Sequence, residues 1–199
     1  MELIGYLGTM NSAKSALAIM KYHKYTNDNE ITLVFKPRTD KRDGSFITSR
    51  AIQERVPAIM ISEYDFNSMY QLCKAMRPDH LIVDEVQFLS EHHIDELAEI
   101  SKTFNVKVEC YGLKVDFQSR LFEGSKRLIE LADRIIEVEN DCSTHGCRQP
   151  ATKNVRFEDG SPTFQGDVIK MGKEETYQSV CLKCYLEMKG QSIHAANKI

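Results

Sequence analysis

The chain has 199 residues, 26 Lys and Arg against 29 Asp and Glu, a formal net charge of -3 and 42% hydrophobic residues, an ordinary balance for a globular protein. Near-neutral charge gives no broad basic field for nucleic acid and no polybasic run for a membrane surface, so neither partner is expected. No apolar run reaches the roughly 18–20 residues that span a bilayer, and Met1 to Leu7 lacks the basic flank of a signal peptide, so a cytoplasmic protein is expected.

In chain order, short β-branched runs alternate with longer amphipathic stretches. Glu2 to Leu7 reads as a strand, Lys14 to Tyr25 as a helix and Ile31 to Lys36 as a strand. Between Pro37 and Val56 lies a polar, Arg-rich and Ser/Thr-rich segment without strong periodicity, expected to be a flexible loop over a site. Asn67 to Met76 is the next helix, His80 to Asp84 a strand, His92 to Phe104 a helix and Val106 to Tyr111 a strand. Phe122 to Ala132 and Arg134 to Val138 form the last helix–strand pair. Uninterrupted Leu-Ile-Val runs signal strands buried on both faces, so an α/β fold with a parallel sheet flanked by helices is expected. After Asn140 the texture turns to Cys, Gly, Pro and Lys with short β-like pieces at Asn154 to Phe157 and Asp167 to Lys170. The expected division is an α/β core over 1–139, a smaller unit over 140–190 and a polar tail over 191–199, a candidate for disorder.

Gly8-Thr9-Met10-Asn11-Ser12-Ala13-Lys14-Ser15 follows the first strand and opens the first helix, which is nearly G-x-x-x-x-G-K-[ST] in the context that motif requires. Consecutive backbone N–H groups and the positive helix end suit phosphates, Lys14 suits their oxygens and the Ser15 hydroxyl suits Mg²⁺. Ala13 stands where glycine is usual, and an added methyl disfavours a positive φ. Alone, the segment also reads as a strand-to-helix turn capped by Ser12. Asp84 and Glu85, at the C-terminal end of a buried strand where open α/β sheets bind ligands, favour the nucleotide reading. An Asp there can hold Mg²⁺, and a neighbouring Glu can take a proton from a hydroxyl or water.

Six cysteines are unevenly spread: Cys73 and Cys110 read as core positions, whereas Cys142, Cys147, Cys181 and Cys184 fall late in the chain. In a reducing compartment such a cluster points to a metal before disulfides. Cys181-Leu-Lys-Cys184 is a C-x-x-C knuckle, and Cys142 to Cys147 is a looser partner with His145 as an alternative ligand. Four protein ligands describe a structural Zn²⁺ with no open catalytic position.

The loop Gly8 to Ser15, the segment Lys36-Pro37-Arg38-Thr39-Asp40-Lys41-Arg42, then Asp84-Glu85-Val86-Gln87-Phe88, Tyr111-Gly112-Leu113-Lys114-Val115-Asp116-Phe117 and the cysteine unit with Tyr177 together resemble the thymidine kinase family of the cellular, tetrameric type. The resemblance runs from about residue 2 to residue 186. It implies a P-loop α/β core and a small zinc-bearing domain whose lasso closes over the nucleoside. It also implies transfer of the γ-phosphate of ATP to the 5′-hydroxyl of thymidine, with deoxyuridine a second substrate, and a homotetramer. By the same resemblance Gly8, Thr9, Met10, Asn11, Ser12, Ala13, Lys14 and Ser15 bind the triphosphate, with Asp40, Arg42, Asp84 and Gln87 completing the ATP and Mg²⁺ set. Glu85 is implied as general base. Met10, Phe88, Leu113, Phe117 and Tyr177 are implied around the nucleoside, with main-chain groups of Val168, Ile169, Lys170, Met171 and Gly172 at the base edge. Taken alone, Phe88, Phe117 and Tyr177 read more often as core than as pocket. Two alternatives remain open on the residues: a catalytically impaired nucleotide-binding zinc protein, and a P-loop ATPase in which Glu85 activates water.

Overall fold

A computed structural model of the chain describes residues 1–40, 43–49, 51–168 and 176–196. The elements of the first part are β1 (Leu3–Gly8), α1 (Lys14–Asn27), β2 (Thr32–Pro37), β3 (Phe46–Thr48), β4 (Arg55–Pro57), β5 (Ile59–Ile61), α2 (Ser68–Met76), β6 (His80–Val83), a 3₁₀ turn (Val86–Phe88), α3 (Glu91–Thr103), β7 (Lys107–Leu113), α4 (Glu123–Leu131) and β8 (Arg134–Val138). Six strands form one sheet in the order β5-β2-β6-β7-β1-β8, with β5, β2, β6 and β7 paired parallel. Successive strand residues face opposite sides, so each strand feeds two cores. Leu3, Leu7, Leu33, Phe35, Leu81 and Val83 join the α2–α3 side, while Ile4, Tyr6, Val34, Ile82 and Tyr111 join the α1 side. This is the expected α/β architecture with helices on both faces.

The chain divides into two units. The larger comprises Met1–Leu7, Ala13–Leu113 and Phe122–Val138; the smaller comprises Gly8–Ser12, Lys114–Leu121 and Glu139–Ile199. The smaller unit thus takes in one short segment from near the start of the chain and one from its middle, as well as the cysteine-rich part. Among the described residues no helix is long and apolar enough to cross a membrane.

Within the larger unit, the segment expected as a flexible loop contains a hairpin. β3 and β4 pair antiparallel with Ile47 opposite Val56, both buried, and each strand is three residues long, too short to leave a periodic signal. The turn after β6 is gripped by glycines. A Cβ on Gly124, at the start of α4, would lie 2.4 Å from the Val86 carbonyl oxygen and 2.6 Å from that of Leu89. Both neighbours are backbone, so the helix or the turn must move. Gly124→Ala is therefore expected to destabilise by about 1–3 kcal/mol, as overpacking does. Thermal melting of the two proteins checks this; an unchanged Tm would mean that the turn accommodates the methyl.

The smaller unit carries β9 (Lys153–Glu158), β10 (Ser161–Thr163) and β11 (Thr176–Val180) in the antiparallel order β10-β9-β11, followed by α5 (Leu182–Ala196). The strand expected at Asp167 to Lys170 is not formed at Asp167 and Val168, and Ile169 and Lys170 lie outside the described residues. The reason is local. Gly166 has φ +107, and the carbonyls of Gln165 and Asp167 accept hydrogen bonds from the buried Arg156 guanidinium at 3.1 and 2.7 Å, so they are turned from any ladder. The polar tail set apart at 191–199 instead continues α5 as far as Ala196. Once a helix is nucleated, each further residue adds a hydrogen bond at little cost, and Gln191, Ala195 and Ala196 are good helix formers.

Candidate active site

In the larger unit β6 runs buried from His80 to Val83, and the Asp84 N–H still donates to the Phe35 carbonyl of β2 at 3.0 Å. Glu85 then turns to φ 53, which ends the strand and starts the 3₁₀ turn. The result is two successive carboxylates at the carboxyl end of the sheet. The Ser15 hydroxyl donates to Asp84 Oδ2 at 3.0 Å, so the first turn of α1 and the end of β6 meet. Burial, reinforced by the neighbouring Glu85 charge, pushes the Asp84 carboxyl up to about 7, although Ser15 and the Lys14 charge act against it. A buried carboxylate and a hydroxyl are hard oxygen donors, the set that Mg²⁺ prefers, and a bound cation would hold Asp84 ionised.

The phosphate loop has a strained approach to the helix. Ala13 sits at φ 59 and ψ 22, the left-handed region that its expected glycine would occupy without penalty, and Asn11 is also left-handed at φ 58. The fold therefore keeps the glycine backbone with an alanine in it, at a cost of about 1 kcal/mol. Ala13→Gly is expected to raise Tm by a few degrees, at roughly 2–4 °C per kcal/mol for a chain of this size. Calorimetry decides it, and a lower Tm would show that alanine is the better residue there.

Asp40 does not stand alone. Its carboxylate pairs with Lys36 Nζ at 2.9 Å, both side chains being buried, and Lys36 also donates to the Phe46 carbonyl at 3.0 Å. Lys36, in β2, thus holds both Asp40 and the start of β3. Gln87, 2% exposed, donates from its amide to Glu85 and accepts the Leu113 N–H at 2.9 Å. Phe88 packs edge-on to Phe122, ring centroids 5.9 Å apart. Arg42 lies outside the described residues.

In the smaller unit the main chain of Met10 is held from three sides. Its N–H donates to Asn154 Oδ1 at 2.8 Å, and its carbonyl accepts from Ser179 Oγ at 2.6 Å and Asn140 Nδ2 at 3.1 Å. Asn154 also donates to the Val115 carbonyl at 3.0 Å. Phe117 is buried beneath the Arg156 guanidinium, 3.8 Å from the ring centroid. Tyr177 is half-buried on β11 opposite Arg156, and Val168 is exposed. Ile169, Lys170, Met171 and Gly172 lie outside the described residues. Asn140, Asn154, Arg156 and Ser179 are contributors that sequence reasoning missed.

The same unit holds the candidate metal centre. Among the described residues the Sγ atoms of Cys142, Cys147, Cys181 and Cys184 lie within 4.8 Å of one another, and His145 is not part of the group. Cys147 and Cys181 are 3.8 Å apart, far beyond the roughly 2.05 Å of a disulfide and equal to the about 3.8 Å edge of a tetrahedron with 2.3 Å Zn–S bonds. The Cys181 N–H points at Cys142 Sγ at 3.2 Å and the Cys184 N–H at Cys181 Sγ at 3.5 Å. Burial raises the Cys142 thiol, but the Cys181 N–H and the N–H and hydroxyl of Thr144 outweigh it and bring it down to about 6, as suits a thiolate ligand. The donor set fits Zn²⁺. Cys73 and Cys110 are core residues, their thiols pushed up by burial.

A parallel sheet, a phosphate loop between its strand and helix, and an acidic strand end hydrogen-bonded to the loop's serine define a P-loop-type α/β protein. The family model described as thymidine kinase matches residues 1–185. A thymidine kinase of Streptococcus pyogenes serotype M3 is 41% identical over 180 residues, covering 89% of this chain and 93% of that protein. A thymidine kinase of Lactiplantibacillus plantarum is 35% identical over 187 residues, covering 92% and 95%. The chain belongs to the thymidine kinase family.

Proposed function

We propose that the chain transfers the γ-phosphate of ATP to the 5′-hydroxyl of thymidine, giving dTMP and ADP. The observation that carries this reading is the Ser15–Asp84 pair beside Glu85 at the carboxyl end of the sheet, in a chain that belongs to the thymidine kinase family over most of its length. Gly8 to Ser15 would wrap the triphosphate with backbone N–H groups, and Lys14 would neutralise its oxygens. Ser15 and Asp84 would hold Mg²⁺, which supplies charge neutralisation to the β- and γ-phosphates. Glu85 accepts the proton of the 5′-hydroxyl as that oxygen attacks phosphorus. Asp40 and Arg42 would support the phosphates.

Met10, Phe88, Leu113, Phe117 and Tyr177 would surround the nucleoside, and main-chain groups of 168–172 would read the base. Deoxyuridine fits the same reading, because an apolar pocket for the thymine methyl gains only about 1–3 kcal/mol from it. Cys142, Cys147, Cys181 and Cys184 would hold a structural Zn²⁺ and take no part in transfer. Grouped thiols suit a reducing, cytoplasmic setting, and the resemblance implies a homotetramer. The smaller unit is the proposed lasso domain.

ADP release measured with and without thymidine tests the reading. Thymidine-dependent ADP formation is expected; equal phosphate release without nucleoside would make the chain an ATPase.

A further inference from the structure

The turn after β6 holds its two polar side chains in one arrangement. The Leu113 N–H can only donate, so the Gln87 atom it meets at 2.9 Å is the amide oxygen, and the other end of the amide is a donor aimed at Glu85. The orientation of the amide follows from the backbone and needs no assumption about Glu85. Gln87 is itself 2% exposed, while Glu85 and Leu113 are half-buried. Room for it is made by Gly112: a Cβ there would lie 2.4 Å from Gln87 Oε1 and 2.8 Å from Val86 Cγ1. Leu113 is itself fixed, its carbonyl accepting the Ser125 hydroxyl at 2.6 Å. The end of β7, the start of α4 and the turn therefore form one rigid support under a glutamate in the left-handed region.

We propose that Gln87 is a positioning residue for Glu85, holding its carboxylate in one rotamer as a hydrogen-bond acceptor, and that Gly112 is the small residue that lets it do so. The inference rests on Glu85 being the general base. It assigns Gln87 a task other than binding ATP or Mg²⁺, the role that the resemblance implied. A base held ready needs no reorganisation at the moment of transfer, and loosening it costs rate rather than affinity.

The test is steady-state kinetics of Gln87→Met and Gln87→Glu with a double-mutant cycle on Glu85→Gln. Gln87→Met keeps the length and loses the donor; Gln87→Glu is isosteric and serves should the methionine variant fold poorly. Both are expected to lower kcat about 10–100-fold, with KM for ATP and thymidine changed less than twofold. Gly112→Ala is expected to reproduce the kcat loss by displacing Gln87. In the Glu85→Gln background Gln87→Met should cost nothing further, because residues that act as a unit are not additive. A rise in KM for ATP with kcat kept, an unchanged kcat, or an undiminished loss in that background would each overturn the proposal. Full turnover of Glu85→Gln alone would instead remove the base assignment beneath it, so the two failures are distinguishable.

Discussion

Glu85→Gln is expected to leave ATP binding intact and to lower phosphate transfer to thymidine by about 10²–10⁴-fold, the range that a positioned general base contributes. The substitution keeps the size of the side chain at the end of β6, so the turn, the Ser15–Asp84 contact at 3.0 Å and the phosphate loop are retained. It removes the one feature a base needs, a carboxylate oxygen able to take the proton of the 5′-hydroxyl. The expected signature is a collapse of kcat with the nucleotide dissociation constant within a factor of two. Asp84 does not replace it, since its side chain is buried, accepts the Ser15 hydroxyl and is the proposed Mg²⁺ ligand. Residual turnover near the parent's would remove Glu85 from the role.

Cys181→Ser has the largest expected effect on stability. Cys181 sits where the cysteine cluster is closest knit: its sulfur is 3.8 Å from Cys147, accepts the Cys184 N–H, and its own N–H points at Cys142. Serine removes one of four thiolates, and three ligands hold zinc far less tightly. Val155, Val180 and Tyr185 pack in one apolar cluster with Cys142, Cys181 and Cys184, so a metal held by the four thiols would organise that cluster as well. A structural metal's binding free energy is folding free energy, so its loss belongs among the few single changes that cost about 4 kcal/mol or more. At roughly 2–4 °C per kcal/mol, melting should fall by about 10 °C. Zinc analysis and calorimetry of the purified variant check it, and unchanged stoichiometry with an unchanged melting curve would sink the assignment.

Much of the fold was legible because burial on both faces leaves a plain mark. The runs Leu-Val-Phe in β2 and Leu-Ile-Val in β6 are continuous and buried, and the helices between the strands carry their own period. The hairpin of β3 and β4 was not legible, since a single buried pair, Ile47 and Val56, holds strands of three residues each. The phosphate loop, the acidic strand end and the four cysteines were readable because their chemistry is concentrated within a few neighbouring residues. Their support was not. Ser179 and Asn154 reach Met10 from 169 and 144 residues away, and the Gln87–Leu113 contact spans 26 residues, so no local pattern announces them. Gly112 and Gly124 look like any glycines until the atoms beside them are placed. Ala13 reads as a departure from the motif, yet it adopts the backbone the motif requires.

The central claim is phosphate transfer to thymidine, and it is tested most directly by following the γ-phosphate itself. Zinc-replete protein is incubated with γ-labelled ATP, Mg²⁺ and thymidine, beside reactions with uridine or no nucleoside. Label in dTMP, with little in the uridine reaction, is the predicted result. Label appearing only as inorganic phosphate, or staying in ATP with folded, zinc-loaded protein, would contradict it.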